Sequence, residues 1–267
     1  MKKAHEIDFT VYGDDMQFVE IGLDSGESVV AEAGAMMYMD GSIEMDSVFG
    51  DGSGRDGGKG VMGMLMGAGK RVLTGESLFM TVFTNSAYER KAVAFAAPYP
   101  GKIIPFDLCD HGGQIICQRD AFLCAAKGIS IEIAFQKKIG AGLFGGEGFI
   151  MQRLLGDGLA FMHAGGTIIK KDLAQGEMLK IDTGCLVAMT ASVNYDVEFV
   201  GNIKSAIFGG EGLFFATLKG PGAVWLQSLP FSRLADRMIA AGKKGGGGKE
   251  EGSLLGNIGL GNLFGKD

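Results

Sequence analysis

Glycine-rich stretches are where phosphate chemistry is first sought, because glycines let backbone amides close around an anion. Gly52-Ser53-Gly54-Arg55-Asp56-Gly57 has the G-x-G-x-x-G spacing of a dinucleotide loop. Such a loop needs a strand before it and a helix after it, and neither flank carries that pattern. Gly69-Lys70 is no P-loop, since Met64 stands where that motif needs glycine and Arg71 replaces Ser or Thr. Asp51, Ser53 and Asp56 imitate a calcium loop, but Arg55 occupies a ligand position and Met62 falls where the bidentate Glu belongs. None of the three motifs holds.

The three histidines, His5, His111 and His163, are far apart in sequence, so a clustered-histidine metal site is not expected. Cys109-Asp110-His111 sets a thiol near a base, yet residues i and i+2 on a tight turn rarely converge on one reacting atom. The four cysteines, Cys109, Cys117, Cys124 and Cys185, form no Cys-x-x-Cys pair. Cys117 and Cys124 lie in strand-like apolar runs and read as buried, reduced thiols of a cytosolic protein. The expectation is a chain with no catalytic residues, no cofactor and no metal.

Repeated carboxylates are the most unusual polar feature. Glu76, Glu147 and Glu211 occupy one equivalent position after a glycine, and Glu27 and Glu177 another, with Gln114 as the amide exception. A carboxylate there either accepts the amides of its own turn or joins a symmetric set of acceptors for cations or basic partners. Lysine and arginine doublets (Lys70-Arg71, Arg90-Lys91, Lys137-Lys138, Lys170-Lys171) resemble those of RNA-binding rings. The balance of 25 basic against 31 acidic residues, net −6, argues against a nucleic-acid partner, which needs a basic face. Such doublets are then solvated strand ends.

Elements that position these residues follow from composition and self-similarity. Forty-six glycines in 267 residues, against a usual share of about 7%, disfavour long helices and favour short strands joined by tight turns. Hydrophobic residues at 46% supply a core. No apolar run suits a secretory signal or a membrane helix. Residues 139–150 (IGAGLFGGEGFI) recur as 203–214 (IKSAIFGGEGLF), 64 positions on, and 75–79 give a third copy. Gly176-Glu177 with Gly184 repeats Gly112-Gly113 with Asp120, and Gly26-Glu27 with Gly34 is the first member.

Within each copy the signals are for strands. Residues 29–39, 115–123 and 179–189 are apolar runs bounded by glycine, while 129–133 and 193–197 alternate with period two. Residues 78–83, 149–155 and 213–218 follow the later Gly-Glu turn, and 92–97, 159–164 and 223–229 answer them across a hairpin. Copy one carries an insertion at 50–69, rich in glycine, then in methionine. Val61, Met62, Met64, Leu65 and Met66, followed by Lys70 and Arg71, either pack back on the fold or form an adaptable contact for a partner or membrane surface. Phe231, Leu234, Met238 and Ile239 share a face at helical spacing, and 243–252 has the composition of a flexible linker. The expected division is repeat one with its insertion at 1–107, repeat two at 108–172, repeat three at 173–230, a helix at 231–242 and a tail at 243–267.

Glu32-Ala33-Gly34-Ala35-Met36-Met37, the glycine-rich insertion ending in Gly69-Lys70-Arg71, and Thr74-Gly75-Glu76-Ser77-Leu78-Phe79 resemble the bacterial members of the altered-inheritance-of-mitochondria family. That family is named for a mitochondrial biogenesis factor of the inner membrane, and the resemblance covers residues 5 to 235. It implies a fold like the tryptophan RNA-binding attenuation protein, with three β-sandwich or double-stranded β-helix-like repeats per chain and three chains closing a nine-unit ring. The resemblance carries no catalytic residues over. The expected protein is all-β, homotrimeric and cytoplasmic, with peripheral membrane association a further expectation. It is a non-catalytic scaffold or binding protein with a protein or membrane partner; the alternative is an RNA- or small-molecule-binding ring.

Overall fold

Short β-branched and aromatic runs between glycine turns fold here as short antiparallel strands. The protein is described by a computed structural model covering residues 4–49, 79–137, 149–199 and 214–244. In chain order the strands are β1 (Asp8–Tyr12), β2 (Phe18–Leu23), β3 (Ser28–Glu32), β4 (Met36–Met39), β5 (Ile43–Phe49), β6 (Phe79–Asn85), β7 (Lys91–Ala96) and β8 (Gly101–Asp107). There follow β9 (Gln114–Gln118), β10 (Phe122–Ala126), β11 (Ser130–Lys137), β12 (Phe149–Leu155), β13 (Leu159–Gly165) and β14 (Ile168–Leu173). The series ends with β15 (Met178–Asp182), β16 (Leu186–Met189), β17 (Asn194–Phe199), β18 (Phe214–Lys219) and β19 (Gly222–Gln227). A helix, α1 (Phe231–Lys244), comes last.

The apolar runs 29–39, 115–123 and 179–189 are not single strands. Each breaks at a turn: at Gly34, whose φ of +88° suits only glycine, and at 3-10 turns over Arg119–Ala121 and Thr183–Cys185. Continuous hydrophobicity hides such breaks, because the residues on either side of each turn are largely apolar. β1, β2, β8 and β14 lie outside the strand runs recognised in the sequence. Pro105 breaks the pattern in β8, which accepts it as the edge of its sheet.

Two six-stranded sheets have the orders β5-β6-β3-β10-β13-β8 and β11-β12-β9-β16-β19-β14. Adding six to each strand number of the first gives the second. The remaining sheets, β1-β2-β7-β4 and β15-β18-β17, are partial versions of the same order. The bulges agree. Met37 on β4, Leu123 on β10 and Val187 on β16 each fall at a register shift against β7, β13 and β19. A bulge at one fixed place sharpens the local twist in all three.

The larger core joins Val19, Ile21, Phe83, Phe95, Leu123 and Phe161 with their neighbours, and Phe83 meets Phe95 edge-on at 5.2 Å. A second cluster gathers Phe149, Met151, Leu186, Leu218 and Val224. The chain divides into two compact units, 1–230 and 231–267. In the second, α1 places Phe231, Leu234 and Met238 on one face by spacing.

Candidate functional site

Strand edges are the first feature with functional content. β10 pairs with β3 on one side and β13 on the other, and β16 pairs likewise with β9 and β19. By the same order β4 pairs with β7 but is the last strand of its sheet, and among the described residues β15 pairs only with β18. Burial follows pairing. Phe122, Leu123 and Cys124 on β10 and Leu186, Val187 and Ala188 on β16 are buried, whereas the matching Met36, Met37 and Tyr38 are exposed, Met37 at 54%. On β15 Met178 is 67% exposed, while Ser28, which starts β3, is buried. Among the described residues β4 and β15 therefore each leave one backbone edge unpaired. Tyr38 is held in place by a hydrogen bond from its hydroxyl to Glu20, which also raises the Tyr38 hydroxyl to about 12.

A cleft of about 520 Å³ opens where β9, β14, the turn after β16 and the start of β19 meet. Asp110, His111, Gln114, Asp172, Thr190 and Ser192 give it its polar groups. The turn is tied to the sheet, since Ala223 N donates to Thr190 Oγ1 at 3.0 Å, and Thr190 and Ser192 share a hydroxyl contact of 3.2 Å. His111 meets Trp225 edge-on at 5.5 Å; Phe106 lies 4.9 Å from the same indole, with Lys170 Nζ 5.7 Å over its ring. The carboxylates and hydroxyls suit hydrogen-bond donors and cations. These residues come from separated turns, and only the strand order would have grouped them.

The Cys109-Asp110-His111 turn makes no thiol–imidazole pair. Cys109 Sγ donates to the Asp157 carbonyl at 3.4 Å, and its thiol is raised by desolvation and by Asp107, while His111 faces Trp225. Cys117 and Cys124 are buried, with Cys117 pushed up to about 12 by desolvation; Cys109 is exposed and Cys185 half-buried. All four are free thiols. Among the described residues no cluster of three His, Cys, Asp or Glu side chains could hold a metal.

Glu27 and Glu177 accept amides of their own turns. Glu27 takes Asp24 N, and Glu177 takes Ala174 N, each at 2.8 Å, beside Gly26 and Gly176 at φ of +80° and +79°. At Gln114 the preceding turn is held instead by Asp107, which accepts Cys109 N at 2.9 Å. A turn bond of this exposed kind is worth about 0.5–1 kcal/mol. Glu177→Ala should therefore lower the thermal midpoint by about 2 °C, and Glu177→Gln, which keeps the acceptor, by less. A midpoint equally lowered by both in differential scanning calorimetry would overturn the turn-acceptor role. Glu76, Glu147 and Glu211, and the contact residues Val61, Met62, Met64, Leu65, Met66, Lys70 and Arg71, lie outside the described residues.

One buried group stands apart. His163 on β13 is 1% exposed and packed edge-on against Tyr99 at 4.3 Å. Desolvation pulls it down to about 4, partly offset by a hydrogen bond with the Tyr99 backbone. Glu32, at the end of β3, moves up to about 7 through desolvation and the nearby Asp120, partly offset by Arg119. Gln227 on β19, in the position matching His163, is satisfied: it accepts Gly165 N at 2.7 Å and donates to Gly184 O at 2.8 Å.

Strand order, bulges and core define an all-β protein of several antiparallel sheets. Residues 9–229 match the family described as Mitochondrial biogenesis AIM24. An uncharacterised protein of Streptococcus pyogenes serotype M6 is 30% identical over 226 residues, covering 82% of this chain and 85% of that one. The X-ray structure of another Streptococcus pyogenes protein superposes with a TM-score of 0.70 at 24% identity, over 88% of this chain and all of that one. The chain belongs to the Mitochondrial biogenesis AIM24 family. No helix among the described residues is long and apolar enough to cross a membrane.

Proposed function

We propose that this chain is a non-catalytic scaffold or binding protein, built from three tandem repeats and closed with other copies of itself into a ring. One observation carries the reading: among the described residues β4 and β15 are unpaired, and largely exposed, on the sides where their counterparts in the six-stranded sheets are paired and buried. β4 of one protomer against β15 of the next completes the same strand order, a head-to-tail contact that closes by rotation. Three copies are the number that the family resemblance implies. Contact with a protein partner or membrane surface through residues 61–71 belongs to the same proposal and rests on the sequence. Nucleic acid is not expected, because net −6 leaves little to neutralise phosphates.

Charges on both edges test the assembly, since lysines there oppose strand addition. The wild type should have a trimer mass by light scattering at micromolar concentration, and Met37→Lys with Met178→Lys should give a monomer mass. A monomeric wild type, or a trimer that survives both substitutions, sinks the proposal. The cleft beside β9 favours the alternative of a small-molecule-binding ring.

A further inference from the structure

We propose that the cleft beside β9 is a peptide groove that receives a short, extended, basic segment of a partner protein. The warrant is an occupied groove at the matching place one repeat earlier. There the chain's own N-terminal segment lies across the turn after β10, the start of β3 and the β12–β13 hairpin. His5 N donates to Lys127 O at 2.9 Å, and Ser28 N donates to His5 Nδ1 at 2.9 Å. Ala4 N donates to Asp157 Oδ1 at 2.7 Å. Ala4 and Ile7 are buried in the core. Ala4 sits over Gly158, where an added Cβ would come within 2.6 Å of the alanine methyl.

The sheet order carries each of these parts across to the second groove. The turn after β10 becomes the turn after β16, the start of β3 becomes the start of β9, and the start of β13 becomes the start of β19. Lys127 is matched by Ala191, Ser28 by Gln114 and Gly158 by Gly222, and all three matches line the cleft. Leu108 and Leu173, both buried, lie against these glycines in the two grooves. The counterparts of one backbone acceptor, Lys127 O, and one backbone donor, Ser28 N, which hold the extended segment in the first groove, thus border the second. Strand-like capture by main-chain bonds with one small side chain over glycine is a known mode of peptide recognition.

Charge decides what kind of peptide. Pro221 stands where Asp157 accepts the Ala4 amide, so the second groove has no carboxylate at that point. Its lining has Asp110 instead, and Asp172, which forms an exposed ion pair with Lys170 at 3.2 Å. Basic side chains flanking a small residue complement Asp110 and can exchange with Lys170 at Asp172. The chain's own first residues, Met1-Lys2-Lys3-Ala4-His5, have this composition, which supplies a probe.

A synthetic peptide of residues 1–9, MKKAHEIDF, labelled at its C-terminus, is titrated with full-length protein by fluorescence polarisation. Saturable binding of one peptide per chain is expected. Ala191→Trp, on an exposed turn, should weaken it about tenfold or more, the loss of ~1.4 kcal/mol. Asp172→Lys should weaken it up to about fivefold, as an exposed charge contact does. Asp157→Ala, in the first groove, should leave it unchanged. Ser192→Arg serves as a second blocking variant should Ala191→Trp disturb folding. Binding that survives both blocking variants, or that falls with Asp157→Ala alone, overturns the proposal; the latter puts the peptide in place of the chain's own segment. So does full competition by free lysine, which would mark a site for small cations, and so does the absence of saturable binding. The Met37→Lys, Met178→Lys background separates this from ring closure, because the groove lies within one chain.

Discussion

Phe161→Ala should lower the thermal midpoint by about 10 °C, the largest single effect expected in this chain. Phe161 is fully buried at the centre of β13, with β10 on one side and β8 on the other. Its ring meets Phe9 edge-on at 4.9 Å, so it also fastens β1 to this sheet. Truncation of such a ring removes its burial and leaves a cavity, for about 3–5 kcal/mol. For a domain of this size each kcal/mol is worth about 2–4 °C. β13 cannot close the gap by moving, because both of its edges are already paired. A midpoint within a few degrees of wild type by calorimetry would show that the surrounding sheet collapses into the space. Apart from the turn after β8, the peptide groove is built from β9, β14, the turn after β16 and the start of β19, which lie in the other six-stranded sheet, so the variant should keep it, and peptide affinity measured below the midpoint checks that.

The all-β class was legible because glycine turns and apolar alternation are local signals. Ile131 and Ile133, alternating along β11, and Tyr195 and Val197, alternating along β17, are of this kind. Strand partners were not legible. β3 pairs with β6 of its own part of the chain and with β10 of the next, and nothing in Val29-Val30-Ala31 states that. The turn role of Glu27 and Glu177 was readable from a glycine followed by a carboxylate, since the bond closes within three residues. The edges were not: Met36-Met37 reads as apolar in the same way as Phe122-Leu123, and only the missing neighbour makes one exposed and the other buried. Neither groove was readable either. Ala126-Lys127-Gly128 and Thr190-Ala191-Ser192 share no residue at matched positions, and their equivalence comes from topology. His163 is a further case. It was one of three scattered histidines in the sequence, and burial by strands distant along the chain gives it its chemistry.

Acid should loosen the fold through His163. The imidazole is buried and held neutral at about 4, against an ordinary value near 6.5 in the unfolded chain. Between those values the unfolded chain binds a proton that the folded one refuses, so stability falls as pH drops from about 6.5 to about 4. Its contribution is intact above about 6.5 and is exhausted below about 4, with a span on the order of 3 kcal/mol. Glu32 works in the opposite sense. Its carboxyl titrates near 7 in the folded state, so the fold gains as pH falls from about 7 towards 4.5, by an amount reduced because the residue keeps solvent access. Wild type should therefore show a shallow acid slope, the difference of the two. Glu32→Gln should steepen it, because the opposing group is gone. His163→Gln should flatten or reverse it, because no proton is then taken up on unfolding. Denaturant midpoints of the three proteins measured at pH 7, 5.5 and 4.5 decide the matter, with wild type and His163→Gln compared at equal salt. Parallel pH profiles for those two would mean that His163 is not the acid-sensitive group.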